Sequence, residues 1–130
     1  MREGKNQNAG TLNLIGTAIA PASATTVYSD AFDLRQGWNR SLWVKAAGSG
    51  TITLRVAIVV AYEKDDGTVS DYVEPDSGAE LIAALANTNL RCVAISVPVS
   101  GKAKIKFTGS GGNGADVTIA DCRVCFGRPE

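Results

Sequence analysis

The chain has 130 residues, with 13 Lys+Arg against 13 Asp+Glu and no histidine. That length corresponds to one domain at roughly 150 residues per domain. Balanced charge argues against a nucleic-acid binder, whose affinity comes from basic residues on phosphates, and the missing histidine excludes Ser-His-Asp and Cys-His catalysis, histidine-ligated zinc and histidine pH switches.

Glycine is frequent, at 14 residues, and the eight aromatics are three Phe, three Tyr and two Trp. Threonine and valine are plentiful and favour strands, because branched side chains suit a pleated surface. The core must therefore be built mainly from Val, Ile, Leu and Ala.

In chain order, residues 1–10 (MREGKNQNAG) are polar and have nothing to bury, which predicts an N-terminal arm ordered only by another surface. Residues 12–24, LNLIGTAIAPASA, end like a signal peptide, but Asn13, Gly16 and Thr17 interrupt the apolar run and a basic leader is missing; a strand over 12–19 is the reading. No apolar run approaches the roughly 20 residues that span a bilayer, so no membrane contact is expected. Turn signals follow at Pro21, Gly37, GSG (48–50), DDG (65–67), PDSG (75–78), Gly101 and GSGGNG (109–114), the last read as a flexible loop.

In SLWVKAA (41–47), Leu42, Val44 and Ala46 share an inward face, so Trp43 points outward beside Lys45. In TITLRVAIVVAY (51–62), Ile52, Leu54, Val56, Ile58, Val60 and Tyr62 form a core face; the other face turns apolar near Val59, predicting cover on both sides at that end. DDG makes a tight turn into TVSDYV, and AELIAALA (79–86) reads as a short helix introduced by Asp76, Ser77 or Gly78. Val93, Ile95, Val97 and Val99 share a face of a strand over 90–99. In KAKIKFT (102–108), Ala103, Ile105 and Phe107 point inward, and Lys102, Lys104 and Lys106 form a solvated row that discourages edge pairing. The last strand, 115–126, changes phase, which predicts a β-bulge near residues 120–121.

About eight strands, each with one apolar face, cannot lie in one sheet without exposing that face. Two packed sheets hide it. The predicted fold is all-β: an antiparallel, jelly-roll-like β-sandwich over residues 11–130, with one short helix near 79–86.

Chemistry is sparse. Cys92, Cys122 and Cys125 are too few for a disulfide framework and read as reduced thiols, and in a strand the two cysteines of the C-x-x-C point to opposite faces. The acidic stretch 63–78 lacks the EF-hand ligand spacing for calcium, and GSGGNG lacks the Lys-Ser/Thr and helix of a phosphate loop. No catalytic residue, metal or cofactor is therefore expected, and no enzyme. Trp38, in the turn RQGWNR, and Trp43 are the candidate contact residues; plugging the sandwich end, a subunit interface and a sugar-stacking platform are the three readings of the pair.

YSDAFDLRQGW, SLWVKAAGSGTITLRVAIVVAYEKDDGTV, YVEPDSG and GKAKIKFTGSGGNGADVTI together resemble short jelly-roll structural proteins encoded with tailed-phage and prophage structural genes. The likeness spans roughly residues 25–120; the ending DCRVCFG departs from it. The resemblance implies a non-enzymatic virion component, a capsid decoration or head–tail accessory protein. Such a protein would be made in the host cytoplasm and form a homo-oligomer, such as a trimer, docked on a capsid or other virion protein. The alternative is a carbohydrate-binding module of the same layout.

Overall fold

The computed structural model describes residues 6–11, 18–19, 26–34, 39–48, 52–85, 89–97, 101–112 and 117–127. The strands are β1 (Asn6–Thr11), β2 (Ala18–Ile19), β3 (Thr26–Tyr28), β4 (Phe32–Leu34), β5 (Asn39–Gly48), β6 (Ile52–Ala61), β7 (Glu80–Leu85), β8 (Arg91–Ala94), β9 (Gly101–Gly112) and β10 (Val117–Gly127), and apolar alternation is plainest in β5, β6 and β9. All pairings are antiparallel. One sheet runs β1-β10-β5-β8 with β2 also on β10; the other runs β3-β9-β6-β7 with β4 also on β9. Counting β1 with β2 and β3 with β4 as interrupted strands leaves eight, four to a sheet. Between these eight the chain changes sheet at every connection except β6 to β7. That path is the jelly roll, in which the antiparallel strands of two sheets interleave along the sequence.

The inner faces are those the alternation assigned. Leu42, Val44 and Ala46 on β5, Leu54, Val56 and Ile58 on β6, and Ala103, Ile105 and Phe107 on β9 are fully buried in one core with Ile119, Cys122, Val124 and Phe126 of β10. Each large side chain so buried contributes about 1.5–3 kcal/mol relative to exposure. Ala57, Val59 and Ala61, on the opposite parity of β6, are buried too, so this strand is covered on both faces. The phase change in β10 is a bulge: Ile119 pairs with Ala46 and Asp121 with Lys45, leaving Ala120 extra.

Four expectations change. Residues 79–85 of the expected helix are not helical, and residue 86 lies outside the described residues; Glu80–Leu85 is β7, paired to β6. Leu54 faces Leu85 while Val56 faces Ile82, so three residues of β7 span two of β6. That bulge places the buried Ile82 and Leu85 three apart, which imitates a helical face. Tyr62 is no core residue, being 64% exposed where the cover over β6 gives out. The lysine row lies on no edge, because β9 is flanked by β3 and β4 on one side and β6 on the other. Gly109 and the next three residues extend β9 rather than forming a loop; Gly109 pairs with Leu54 and Gly112 with Ile52, with a register shift between them. At the other terminus, residues 6–10 of the expected arm run antiparallel to β10, with Asn6 opposite Gly127.

Two corners depend on particular residues. Between β3 and β4 the chain leaves its ladder, and the buried Ser29 hydroxyl accepts from the Ile105 amide at 2.9 Å while donating to the Asp30 carbonyl at 2.9 Å. A strand amide that would otherwise be orphaned is thereby satisfied. Gly101 has φ +134°, and a Cβ there would stand 2.6 Å from the Ala61 carbonyl oxygen. Gly101→Ala should lower stability by about 1–3 kcal/mol, read as a fall in the chemical-denaturation midpoint at unchanged slope. Gly67→Ala, whose Cβ meets nothing within 4 Å, should cost less despite its own positive φ.

Candidate functional site

The outer face of the β1-β10-β5-β8 sheet carries Trp43. In register it lies between Cys92 on β8 and Arg123 on β10. Its indole Nε1 donates to the Ser41 hydroxyl at 3.2 Å, and 37% of the residue remains exposed. Arg123 is held by Asp121 at 3.2 Å, so its charge is partly neutralised beside the ring. Leu90, just before β8, is also exposed. The result is a rigid aromatic on a sheet surface, suited to packing against another surface. Trp38 lies outside the described residues.

Arg40 continues the inward parity of β5. Its Nη2 donates to the Val97 carbonyl at 2.9 Å, whereas Nε and Nη1 are shielded without a partner. Burial lowers its pKa.

The outer face of the other sheet is electrostatically closed. Arg55 makes a two-pronged contact with Glu74, at 2.9 and 2.8 Å, and a third bond to Glu80 at 2.7 Å; Lys106 reaches the same Glu74 at 3.0 Å. Lys104 sits 4.5 Å over the Tyr72 ring, and Lys102 pairs with Asp33 at 2.7 Å. The row read as solvated lysines is thus a set of anchors. Hydrogen bonds from Arg55 and then from Lys106 hold the Glu74 carboxyl down to about 2, and those from Glu74 and Glu80 raise Arg55. The sequence marked Glu74 as acidic and the lysines as outward, but their juxtaposition depends on residues 70–79 folding back along β6, where Val73 and Val60 exchange backbone bonds of 2.8 and 2.9 Å.

That segment begins at the predicted tight turn. Gly67, at φ +87°, donates to the Lys64 carbonyl at 2.9 Å, and the Asp66 carboxylate accepts from both the amide and hydroxyl of Thr68, which lowers its pKa. Beyond the turn a concavity of about 520 Å³ opens, lined by Val60, Ala61, Tyr62, Lys64, Ser70, Asp71 and Val73. Among the described residues no three His, Cys, Asp or Glu side chains group as metal ligands.

The cysteines separate as strand geometry requires. Cys122 faces the core, where burial first and Asp121 second push its thiol up to about 12; Cys125 is half-buried and Cys92 exposed.

No protein-family model matches the sequence, and no curated protein matches it. Among solved structures, a chain in the structure of infectious bursal disease virus, Gx strain, superposes with a TM-score of 0.55 at 12% identity, over 95% of this chain and 30% of that one. A chain from the Gt strain gives 0.48 at 12% identity, over 95% and 32%. This chain therefore spans about a third of the length of the chains it matches, and the Gx likeness is one of fold.

Two outcomes follow from these environments. Glu74 titrates near its ordinary 4.5 when unfolded and about 2 when folded, so its contribution is full above pH 4.5 and is lost as pH falls toward 2. Glu74→Gln should lower neutral-pH stability by about 1 kcal/mol and flatten the fall in melting temperature across that window. Iodoacetamide at neutral pH should alkylate Cys92 in the native protein and Cys122 only after unfolding, since the thiolate is the reactive form; mass spectrometry of the digested protein reads both sites.

Proposed function

We propose that the protein is a non-enzymatic structural component of a virus particle, of the tailed-phage kind, which associates with its own copies and docks on a larger assembly. It would serve as a capsid decoration or head–tail accessory protein, made in the host cytoplasm and carried in the virion. Residues 11–130 would act as one sandwich unit.

The observation that carries this reading is Trp43, held rigid and one-third exposed on the outer face of a sheet whose inner face is already filled. A fixed tryptophan loses little entropy on contact and is enriched among residues that dominate interfaces. Jelly-roll domains are common building blocks of viral capsids, and the superposition on a chain from infectious bursal disease virus supports the same direction. The mechanism is burial of apolar area between subunits, on the scale of 2,000 Å² or more for an obligate contact, with cyclic closure such as a trimer. The partner surface would be a capsid or other virion protein.

A carbohydrate-binding module with a flat multi-aromatic platform is less well supported. The exposed Tyr28 lies on β3 in one sheet and Trp43 on β5 in the other, so these two rings share no plane of binding.

Multi-angle light scattering of the purified protein should give at least twice the 13.5 kDa chain mass. Trp43→Ser should shift that population toward monomer at least about tenfold in dissociation constant, the size of a moderate interface residue, while far-UV circular dichroism still shows a folded β protein. A wild-type protein that stays monomeric at high concentration, and does not cosediment with virion shells, would sink the reading.

A further inference from the structure

The core-facing parity of β6 does not stop where the core stops. Leu54, Val56 and Ile58 are fully buried, Val60 is half-buried, and Tyr62 is 64% exposed. Val60 pairs with Val73, itself 57% exposed, so the apolar row runs out of the sandwich onto an open concavity with an aromatic lip. Exposed apolar residues of this size are individually ordinary, but Tyr62 and Val73 line one cavity of about 520 Å³. That volume lies in the range of small-ligand sites.

Its polar groups narrow the ligand. The Ser70 hydroxyl is consumed, accepting from the Tyr62 amide at 3.0 Å and donating to the Asp71 carbonyl at 3.1 Å, so it braces the wall. Lys64 and Asp71 line the same cavity, and neither side chain has an ion-pair partner among the described residues, whereas Arg55, Glu74, Lys102 and Lys106 nearby are all in ion pairs. One free cation and one free anion leave the site neutral. A phosphate or a polyacid would meet Asp71, and a polycation would meet Lys64. A neutral ring bearing several hydroxyls satisfies both: one hydroxyl donates to the carboxylate, another accepts from the ammonium, and the ring's C–H face stacks on Tyr62 over Val60 and Val73.

We propose that the concavity formed by Val60, Tyr62, Lys64, Asp71 and Val73 binds a single neutral sugar ring. The site is remote in register from Trp43 and lies at the end of the other sheet, so it stands independently of self-association. It also differs from a flat platform: one aromatic closes over a concave apolar floor.

The test is a ¹⁵N–¹H correlation titration of the full chain with methyl glucoside, methyl galactoside and methyl N-acetylglucosaminide, with sialic acid and glucose 6-phosphate as charged probes. At least one neutral glycoside should shift the amides of Tyr62, Ser70 and Asp71 saturably, with a dissociation constant in the millimolar range or tighter, and the charged probes should bind more weakly. Tyr62→Ala should weaken binding about tenfold, the effect of losing a moderate contact, at unchanged melting temperature, and Asp71→Asn should weaken it less. Trp43→Ser should leave it intact, which separates this site from the interface. The proposal is overturned if no neutral glycoside moves these amides, if charged probes are preferred, or if Tyr62→Ala binds as well as wild type. It also fails if the same amides broaden with protein concentration alone, because the occupant would then be a second copy of the chain.

Discussion

The structure depends on one requirement: the long strands β5, β6 and β9 carry an apolar face on alternate residues, and only another such face can remove it from water. Two four-stranded sheets meet that requirement mutually, and the jelly-roll path alternates between them so that sequence neighbours become facing partners. Phe107 on β9 and Phe126 on β10 are the two largest fully buried side chains, one from each sheet. Neither sheet could hide its inner face alone, so folding of the two must be tightly coupled.

Once the inner faces are committed, the outer faces diverge. On one sheet, residues 70–79 fold back along β6 and their Glu74 gathers Arg55 and Lys106, while Tyr72 takes Lys104. Individually such half-exposed pairs stabilise little. Their arrangement matters more, because it fixes a segment hydrogen-bonded along β6 at Ile58 and Val60 and just past it at Tyr62. The other sheet has no described strap of this kind, and it carries the exposed Trp43. One outer face is thus covered within the chain, whereas the other leaves Trp43 exposed.

Most of this sandwich was legible in period-two alternation: the inward residues of β5, β6 and β9, and even the bulge at Ala120, follow from which parity is apolar. Misreadings arose where local pattern met a long-range pairing. β7 has good helix formers, and its bulge spaces Ile82 and Leu85 like a helix; the unpaired edge of β6 decided otherwise. The lysines of β9 looked like edge protection because no sequence rule reveals that both neighbours of that strand come from distant segments. The outward position of Trp43 is readable from parity, whereas the Tyr62 concavity is not. Tyr62 has core parity, and only the reach of the facing layer determines that it is exposed.

That last point links topology to where chemistry can sit. Of the connections among the eight strands, only β6 to β7 stays within one sheet, so residues 62–79 need not cross the end of the sandwich to reach the other layer. They are free to turn tightly at Gly67, return along β6, and anchor through Glu74. A returning segment held at one end and turned at the other necessarily leaves a hollow where the core strand emerges. Here Tyr62, Lys64 and Asp71 line that hollow. The same connection that spares the chain a crossover therefore creates a preformed concavity outside the core. Substitution of Tyr62 at its lip should cost little stability, because the buried rows of β6 end at Ala61.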